Sequence, residues 1–354
     1  MGLVDKARSI DDQDSPDAYR KRIGDLERKL AQEQSKSRGL LKDLKAAQDE
    51  HLTLSERLDL VEGTAGEINK GKMSKLAKKT TRSPATAILC CNDWHTEERI
   101  DADTVGGLNE FNLEIADRRI KRTFDKAIYL LEFTQHVAKI DDLVLWLGGD
   151  LISGAIHAEL EESNFLGPTE AILWVQQRVS DGIYQLLPHF KSITVVTSYG
   201  NHGRSIQKPR IATGYRHSWE WLAYQNLATY FAKEPKVAFK VERGYHNWLT
   251  IQEREVRFHH GDAIKYAGGV GGWTIPVRKK ISQWNKAKRA DLDVIGHAHS
   301  FMHDWNYVHC GCLVGFNTFA QWIGAEFQPP TQTFMVMDKG YGLVACLPIF
   351  VEQK

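Results

Sequence analysis

Polar and apolar positions along this chain follow two rhythms, and the change falls near residue 84. Between 16 and 62 apolar residues recur every seven positions. One seam is Ile23, Leu30, Ser37, Leu44, His51 and Leu58; the other is Leu26, Glu33, Leu40, Ala47, Leu54 and Val61. Nine of these twelve positions are apolar, so the seam holds despite its defects, Glu33, Ser37 and His51. Such a repeat predicts a coiled-coil helix. The polar run QEQSKSRG, ending at Gly39, leaves a helical hairpin open as an alternative. The seam reads functionally as an oligomerisation arm, and otherwise as a solvated helix lying on the domain that follows it.

From 85 onward the rhythm is strand, helix, strand, helix. The runs ATAILCC (85–91), LVLWLGG (143–149) and ITVVTS (193–198) are short, apolar and rich in β-branched residues, which predicts buried strands. Helical periodicity occupies 114–138, 169–187 and 216–233. Beyond 236, VAFKVER, NWLTIQ, EVRFHH, TFMVMD and GLVACLPIF predict further strands, interrupted by a helix-like stretch at 276–290. This order predicts an α/β layered domain. The expected organisation is a helical arm (1–62), a linker (63–84) and one α/β domain (85–354). Lys70, Lys72, Lys75, Lys78, Lys79 and Arg82 make the linker basic, fit either to hold a phosphate backbone or merely to be solvated.

Composition narrows the class. The 354 residues are 42% hydrophobic and 26% charged, ordinary soluble usage and enough to bury a large core. Net charge is +1, so the chain as a whole is no polyanion binder. The charge is uneven, since 1–82 holds 18 basic and 15 acidic residues and the remainder 28 and 30. The absence of a long apolar run or an apolar leader near the N-terminus implies no membrane partner and a cytoplasmic protein. Five cysteines, Cys90, Cys91, Cys310, Cys312 and Cys346, are an odd number, which fits a reducing compartment. Cys310 and Cys312 have metal-like spacing but no second pair, which favours buried apolar roles.

The chemistry stands where the strands stop. The first stops at Asn92-Asp93-Trp94-His95, the second at Gly148-Gly149-Asp150, and the third at Gly200-Asn201-His202. Later strands stop at His259-His260-Gly261-Asp262 and at Gly296-His297-Ala298-His299. Ligands of open α/β sheets bind beyond the carboxyl ends of strands. Imidazole with carboxylate suits manganese, iron or zinc. Seven such groups exceed the needs of one ion, so two ions are expected.

In that order, DWH, GGD, GNH, HHGD and GHAH resemble the calcineurin-like metallophosphoesterase superfamily, over about 85–350. The resemblance implies a four-layer α/β/β/α sandwich with a dinuclear metal site at its mouth. It implies that Asp93, His95 and His299 hold one metal, that Asp150 bridges both, and that Asn201, His260 and His297 hold the second. His202 would be the catalytic histidine beside the leaving oxygen. Manganese is the expected metal, with iron, zinc or nickel as alternatives. Two close cations lower the pKa of a shared water, which supplies the nucleophile. His259 competes with His260, but the family's ligand directly precedes glycine, and strand alternation puts His260 on the face of Val256 and Phe258. The remaining histidines, His136, His157, His189, His217, His246, His303 and His309, read as surface or core, with His157 the best exception.

Departures from the family narrow the substrate. Gly203 and Arg204 follow His202 where many members carry an acid, so something else must orient this histidine. GDLISG lacks the Asp-Arg pair of protein phosphatases. Ser153 stands where repair nucleases often have histidine. Arg278, Lys279, Lys280, Lys286, Lys288 and Arg289, interleaved with Trp273 and Trp284, suggest a nucleic-acid surface. The glycine-rich YAGGVGGW (266–273) suggests a phosphate contact or a lid. GLNEFN (107–112) and NHGR resemble phage-associated DNA-processing members. The leading expectation is a manganese-dependent DNA nuclease with substrate contacts from Arg204, Ser153, Arg278 and Lys279, oligomeric through its arm. The alternatives are a nucleotide or small-molecule phosphomonoesterase and a non-catalytic interaction protein.

Overall fold

The computed structural model describes residues 16–61, 82–268 and 272–352. The chain forms two compact units, Met1–Thr80 and Thr81–Lys354. In the first, α1 (Pro16–Val61) is one unbroken helix of 46 residues. It runs straight through Gly39, so a hairpin does not form there. One helical glycine costs only about 1 kcal/mol against alanine, and the flanking Lys36, Arg38, Leu40, Leu41 and Lys42 are good helix formers. Most of the basic linker lies outside the described residues.

The second unit alternates strands and helices. In chain order the elements are β1 (Ser83–Cys91), α2 (Leu113–Gln135), β2 (Ala138–Leu147), α3 (Ala158–Ser163), α4 (Pro168–Leu186) and β3 (Ser192–Thr197). Then come α5 (Trp219–Tyr230), β4 (Val237–Lys240), β5 (Asn247–Ile251), β6 (Arg254–His259) and α6 (Thr274–Trp284). The last are β7 (Leu292–Ile295), β8 (Met302–Asp304), β9 (Tyr307–His309), α7 (Thr318–Trp322), β10 (Thr331–Asp338) and β11 (Gly342–Phe350). Six strands form one sheet in the order β11-β10-β1-β2-β3-β4, and five form another in the order β5-β6-β7-β9-β8. β1 to β4 are mutually parallel, as are β6, β7 and β9.

The period of two in the strands builds the layers. Ala87, Leu89 and Cys91 face one way and pack with Ile120, Phe124, Val175 and Val179 of α2 and α4. Ile88 and Cys90 face the other way and meet Val256, Phe258, Val294 and Val308 of the second sheet. Val277 and Ile281 of α6 cover the far side of that sheet through Ile295. The result is the α/β/β/α sandwich that the resemblance implied. The helices approach closely at Gly182, where an added Cβ would lie 2.2 Å from the Phe124 ring. Sequence periodicity located the long elements, though it missed the first five residues of β2 and ran six residues past the end of α6. It passed over α3, α7 and the three-residue strands β8 and β9, which are too short to show a period.

Candidate metal centre

Parallel pairing brings the carboxyl ends of β1, β2 and β3 to one edge, and those of β6 and β7 to the same mouth. Two groups of ligand atoms result, Asp93 with His95 and His299, and Asp150 with His260 and His297, each within 4.8 Å of one another. Asn201 joins the second group, with Oδ1 3.1 Å from His260 Nε2. His202 leans edge-on against His95, ring centres 4.8 Å apart. His260 points Nε2 at Asp150 Oδ2, 2.9 Å away. The buried His259 points to the opposite side, against the half-buried Trp284, His246 and Tyr245, its Nε2 3.4 Å from Asp293.

Backbone conformation marks the same residues. Seven described non-glycine residues have positive φ, and five are Asp93, His95, Asp150, His297 and His299. The other two, Gln252 and Glu253, make the turn between β5 and β6. A left-handed non-glycine residue costs about 1–3 kcal/mol and persists only where its surroundings over-determine it. The loops touch: an added Cβ on Gly149 would lie 2.4 Å from Gly200 N, and one on Gly200 would lie 2.1 Å from Asp150 Oδ1.

Hydrogen bonds fix which imidazole nitrogen faces inward. His95 Nδ1 donates to Ser153 Oγ (3.0 Å), which in turn donates to Glu98 Oε2 (3.2 Å). His260 Nδ1 donates to the Gly148 carbonyl (2.9 Å), and His202 Nδ1 to the Ser153 carbonyl (3.1 Å). Each Nε2 is thereby left for the mouth, the arrangement expected of oriented metal ligands. Asp93 Oδ1 is buried 3.4 Å from His299 Nε2, and the Nε2 atoms of His95 and His299 face each other at 3.2 Å. A buried carboxylate oxygen beside two facing imidazole nitrogens is the donor set of a divalent cation. The residues of both groups therefore fit two metal ions.

Electrostatics agree. Burial opposes ionisation of Asp93, but the contacts with His299 and the charge on His260 outweigh it and bring its carboxyl down to about 2. Burial likewise opposes charge on Asp150, yet His260 and His202 hold it well below the usual carboxylate range. Burial disfavours the imidazolium of His260, but Asp150 and Asp93 push it up to about 10. His297 falls to about 4 through burial and the neighbouring His260. Imidazolium protons thus balance the carboxylates, and a cation binding here must displace them.

Glu220 is a part that sequence reasoning missed. It is fully buried on α5, and its two carboxylate oxygens accept the backbone N–H groups of Leu151 (2.6 Å) and Gly200 (2.7 Å). It therefore ties the Asp150 loop to the Asn201–His202 loop. Its Cγ lies 2.8 Å from where a Gly203 Cβ would stand, which explains the small residue after His202. Burial and the neighbouring Asp150 push its carboxyl up to about 8. Glu220→Gln is expected to lower kcat roughly 10- to 100-fold, as loss of an outer partner of a metal site does. Steady-state turnover at saturating metal checks this. Local sequence carries no signal for Glu220, which lies twenty residues beyond Gly200. Also missed were Glu98, held by Asn317 Nδ2 (2.7 Å), and Cys312, whose thiol lies beside His299.

Two expected substrate contacts have other duties. Ser153 is fully buried and orients His95 and His202, so it does not reach solvent. The guanidinium of Arg204 is committed to the carbonyls of Asn201, Ile206 and Gln207, folding its own loop. Arg278 and Lys279 are exposed on α6, and Arg278 pairs with Asp304. Trp284 is half-buried, 5.3 Å from the Arg257 guanidinium, and packs inward on His259 rather than offering a stacking face. Trp273, likewise half-buried and packed on the cluster of Val277 and Ile281, stands 6.4 Å from His297 and 5.9 Å from the buried His309, with the exposed Tyr266 5.6 Å from it. Residues 269–271 of the glycine-rich segment lie outside the described residues. His157 is exposed, 6.2 Å from His202.

Comparison with known proteins gives the family. The family model described as calcineurin-like phosphoesterase matches residues 86–328. No curated protein matches. Among solved structures, zinc-bound Vps29 of Entamoeba histolytica is similar at 10% identity over 75% of this chain and 99% of that one, TM-score 0.30. A conserved uncharacterized protein of Streptococcus pneumoniae, described as a predicted phosphoesterase, is similar at 9% identity over 75% and 98%, TM-score 0.28. A hypothetical protein of Pyrococcus horikoshii is similar at 11% identity over 76% and 89%, TM-score 0.36. Among the described residues no helix is long and apolar enough to cross a membrane.

Proposed function

This chain belongs to the calcineurin-like phosphoesterase family, and on that premise we propose that it is a manganese-dependent phosphodiesterase acting on DNA. The observation that carries the reading is the aromatic pair beside the metal centre. Trp273 stands against His297 with Tyr266 beside it, and the basic α6 begins at the next residue. A base stacked on these rings would bring its phosphate to the ligand groups, with the cations of α6 along the backbone.

Asp93, His95 and His299 would hold one cation, and Asp150, Asn201, His260 and His297 the other. Bound there, the cations would supply an activated water and offset charge on the phosphoryl oxygens. The chain's own part is orientation and proton transfer. Asp150 Oδ1 accepts the His202 backbone N–H (2.7 Å). With the Ser153 carbonyl on Nδ1, this leaves His202 Nε2 as the atom that exchanges a proton with the leaving oxygen.

A second reading, a nucleotide or small-molecule phosphomonoesterase, is favoured by the charge pairing around α6. Arg278 is neutralised by Asp304 and Lys288 by Glu255, which weakens the basic surface. Manganese-supplemented digestion of end-labelled linear DNA, single- and double-stranded, beside a closed circle and aryl mono- and diesters, separates the two. Degradation of DNA, with label release and circle cleavage setting polarity, supports the nuclease. Turnover of the monoester alone supports the second reading. Trp273→Ala is expected to raise KM for DNA roughly 5- to 100-fold, the worth of about 1–3 kcal/mol of lost base stacking. The same variant should leave turnover of a small aryl diester within a few-fold.

A further inference from the structure

The helix α1 presents an apolar seam to water. Ile23, Leu26, Leu30, Leu40 and Leu44 are each more than half exposed. A helix of 46 residues, about 69 Å long, gains most of its stability from burying such a stripe rather than from propensity. The three polar defects decide what can cover it.

We propose that α1 pairs with a second copy of itself in antiparallel orientation, in the register centred on residue 42. In antiparallel coiled coils each position of one seam faces a position of the other. Leu40 meets the partner's Leu44, Ser37 the partner's Ala47, and Glu33 the partner's His51. Apolar thus faces apolar, small faces small, and carboxylate faces imidazole, twice over by the two-fold symmetry.

No neighbouring arrangement does this. A parallel in-register pair sets Glu33 against the partner's Glu33 and His51 against the partner's His51, like against like in the core. Sliding the antiparallel pair by one heptad in one direction sets Glu33 against the partner's Leu44 and His51 against the partner's Leu26. In the other direction His51 faces the partner's Leu40. Polar core residues select register and orientation in this way at some cost in stability. In the single chain Glu33 bonds Lys36 of its own helix at 2.6 Å, both side chains 70% exposed. Such a pair is worth little and yields readily to a partner. The two chains then leave the rod at opposite ends.

Sedimentation equilibrium of the full-length chain tests the pairing, and a charge exchange tests its orientation. The unaltered chain is expected to be a dimer. Glu33→Lys should raise Kd 10-fold or more. Adding His51→Glu to it should restore Kd to within a few-fold, because the new lysine then faces the new glutamate. In a parallel pair the double variant would set lysine on lysine and glutamate on glutamate, and no recovery would follow.

Mixing Glu33→Cys chains with His51→Cys chains under mild oxidation should give a mixed disulfide, with the unaltered chain as control for native thiols. Neither variant alone should cross-link at the new cysteine. A symmetric disulfide within one variant, no recovery in the charge exchange, or a monomer or larger assembly at micromolar concentration overturns the proposal. Phosphoester turnover per chain, expected unchanged, confirms that every variant folds.

Discussion

His202→Ala is expected to keep both metal ions and to lose roughly 10²- to 10⁴-fold of turnover, the usual worth of a positioned acid or base. The geometry separates the two effects. His202 belongs to neither ligand group. Its ring is held through Nδ1 by the Ser153 carbonyl, and only its backbone N–H touches Asp150. Alanine keeps that N–H, so the Asp150 carboxylate stays in place. What disappears is the proton at Nε2. The loss should therefore depend on the leaving group. An alkoxide such as the one released from DNA needs that proton, whereas a nitrophenolate hardly does. Turnover of DNA and of a nitrophenyl diester, with metal content measured on the same sample, checks the assignment. Equal losses on both substrates, or loss of metal, would sink it.

Asp150→Asn is expected to cut metal content below two ions per chain and to abolish activity, by roughly 10³-fold or more, since the ions supply several kcal/mol of charge stabilisation. Asparagine preserves size and keeps an oxygen for the His202 N–H, so the loop should stay folded. It removes the negative charge beside His260, and burial then favours the neutral imidazole. Metal content and the metal-dependent rise in melting temperature report the result, because a ligand stabilises only a fold that binds it. The unaltered chain should gain several degrees with manganese and the variant much less. An Asp150→Asn chain that retained two ions and full turnover would remove Asp150 from the centre.

These residues were legible because the fold writes them locally. A buried parallel strand needs a run of β-branched residues, and its ligand follows within a few positions of the run's end. The five strand ends could therefore be found, and ordered, one segment at a time. The parity of a strand also gave His260 and His259 opposite faces, and the structure sets one among the ligands and the other against Trp284. The helix of the N-terminal arm was legible for the same reason, since its period lies within one continuous element.

Residues defined by contact across the sandwich were not legible. Nothing near Glu220 in the chain reveals that its carboxylate spans Leu151 and Gly200. Arg204 and Ser153 looked like phosphate contacts because a cation and a hydroxyl beside a catalytic loop are chemically suited to it. Folding commits one to backbone carbonyls and buries the other beneath His95. Trp273 and Trp284 are equivalent in composition, yet opposite ends of α6 set one beside His297 and the other on Arg257. Short-range pattern thus located the strands, the candidate groups at their ends and their order, since each depends on a period or a turn within about ten residues, while the four layers and the ligand roles came from the family resemblance. Which polar groups face the mouth and which hold the loops was decided by tertiary structure, because buried donors and acceptors must find partners wherever the packed chain brings them.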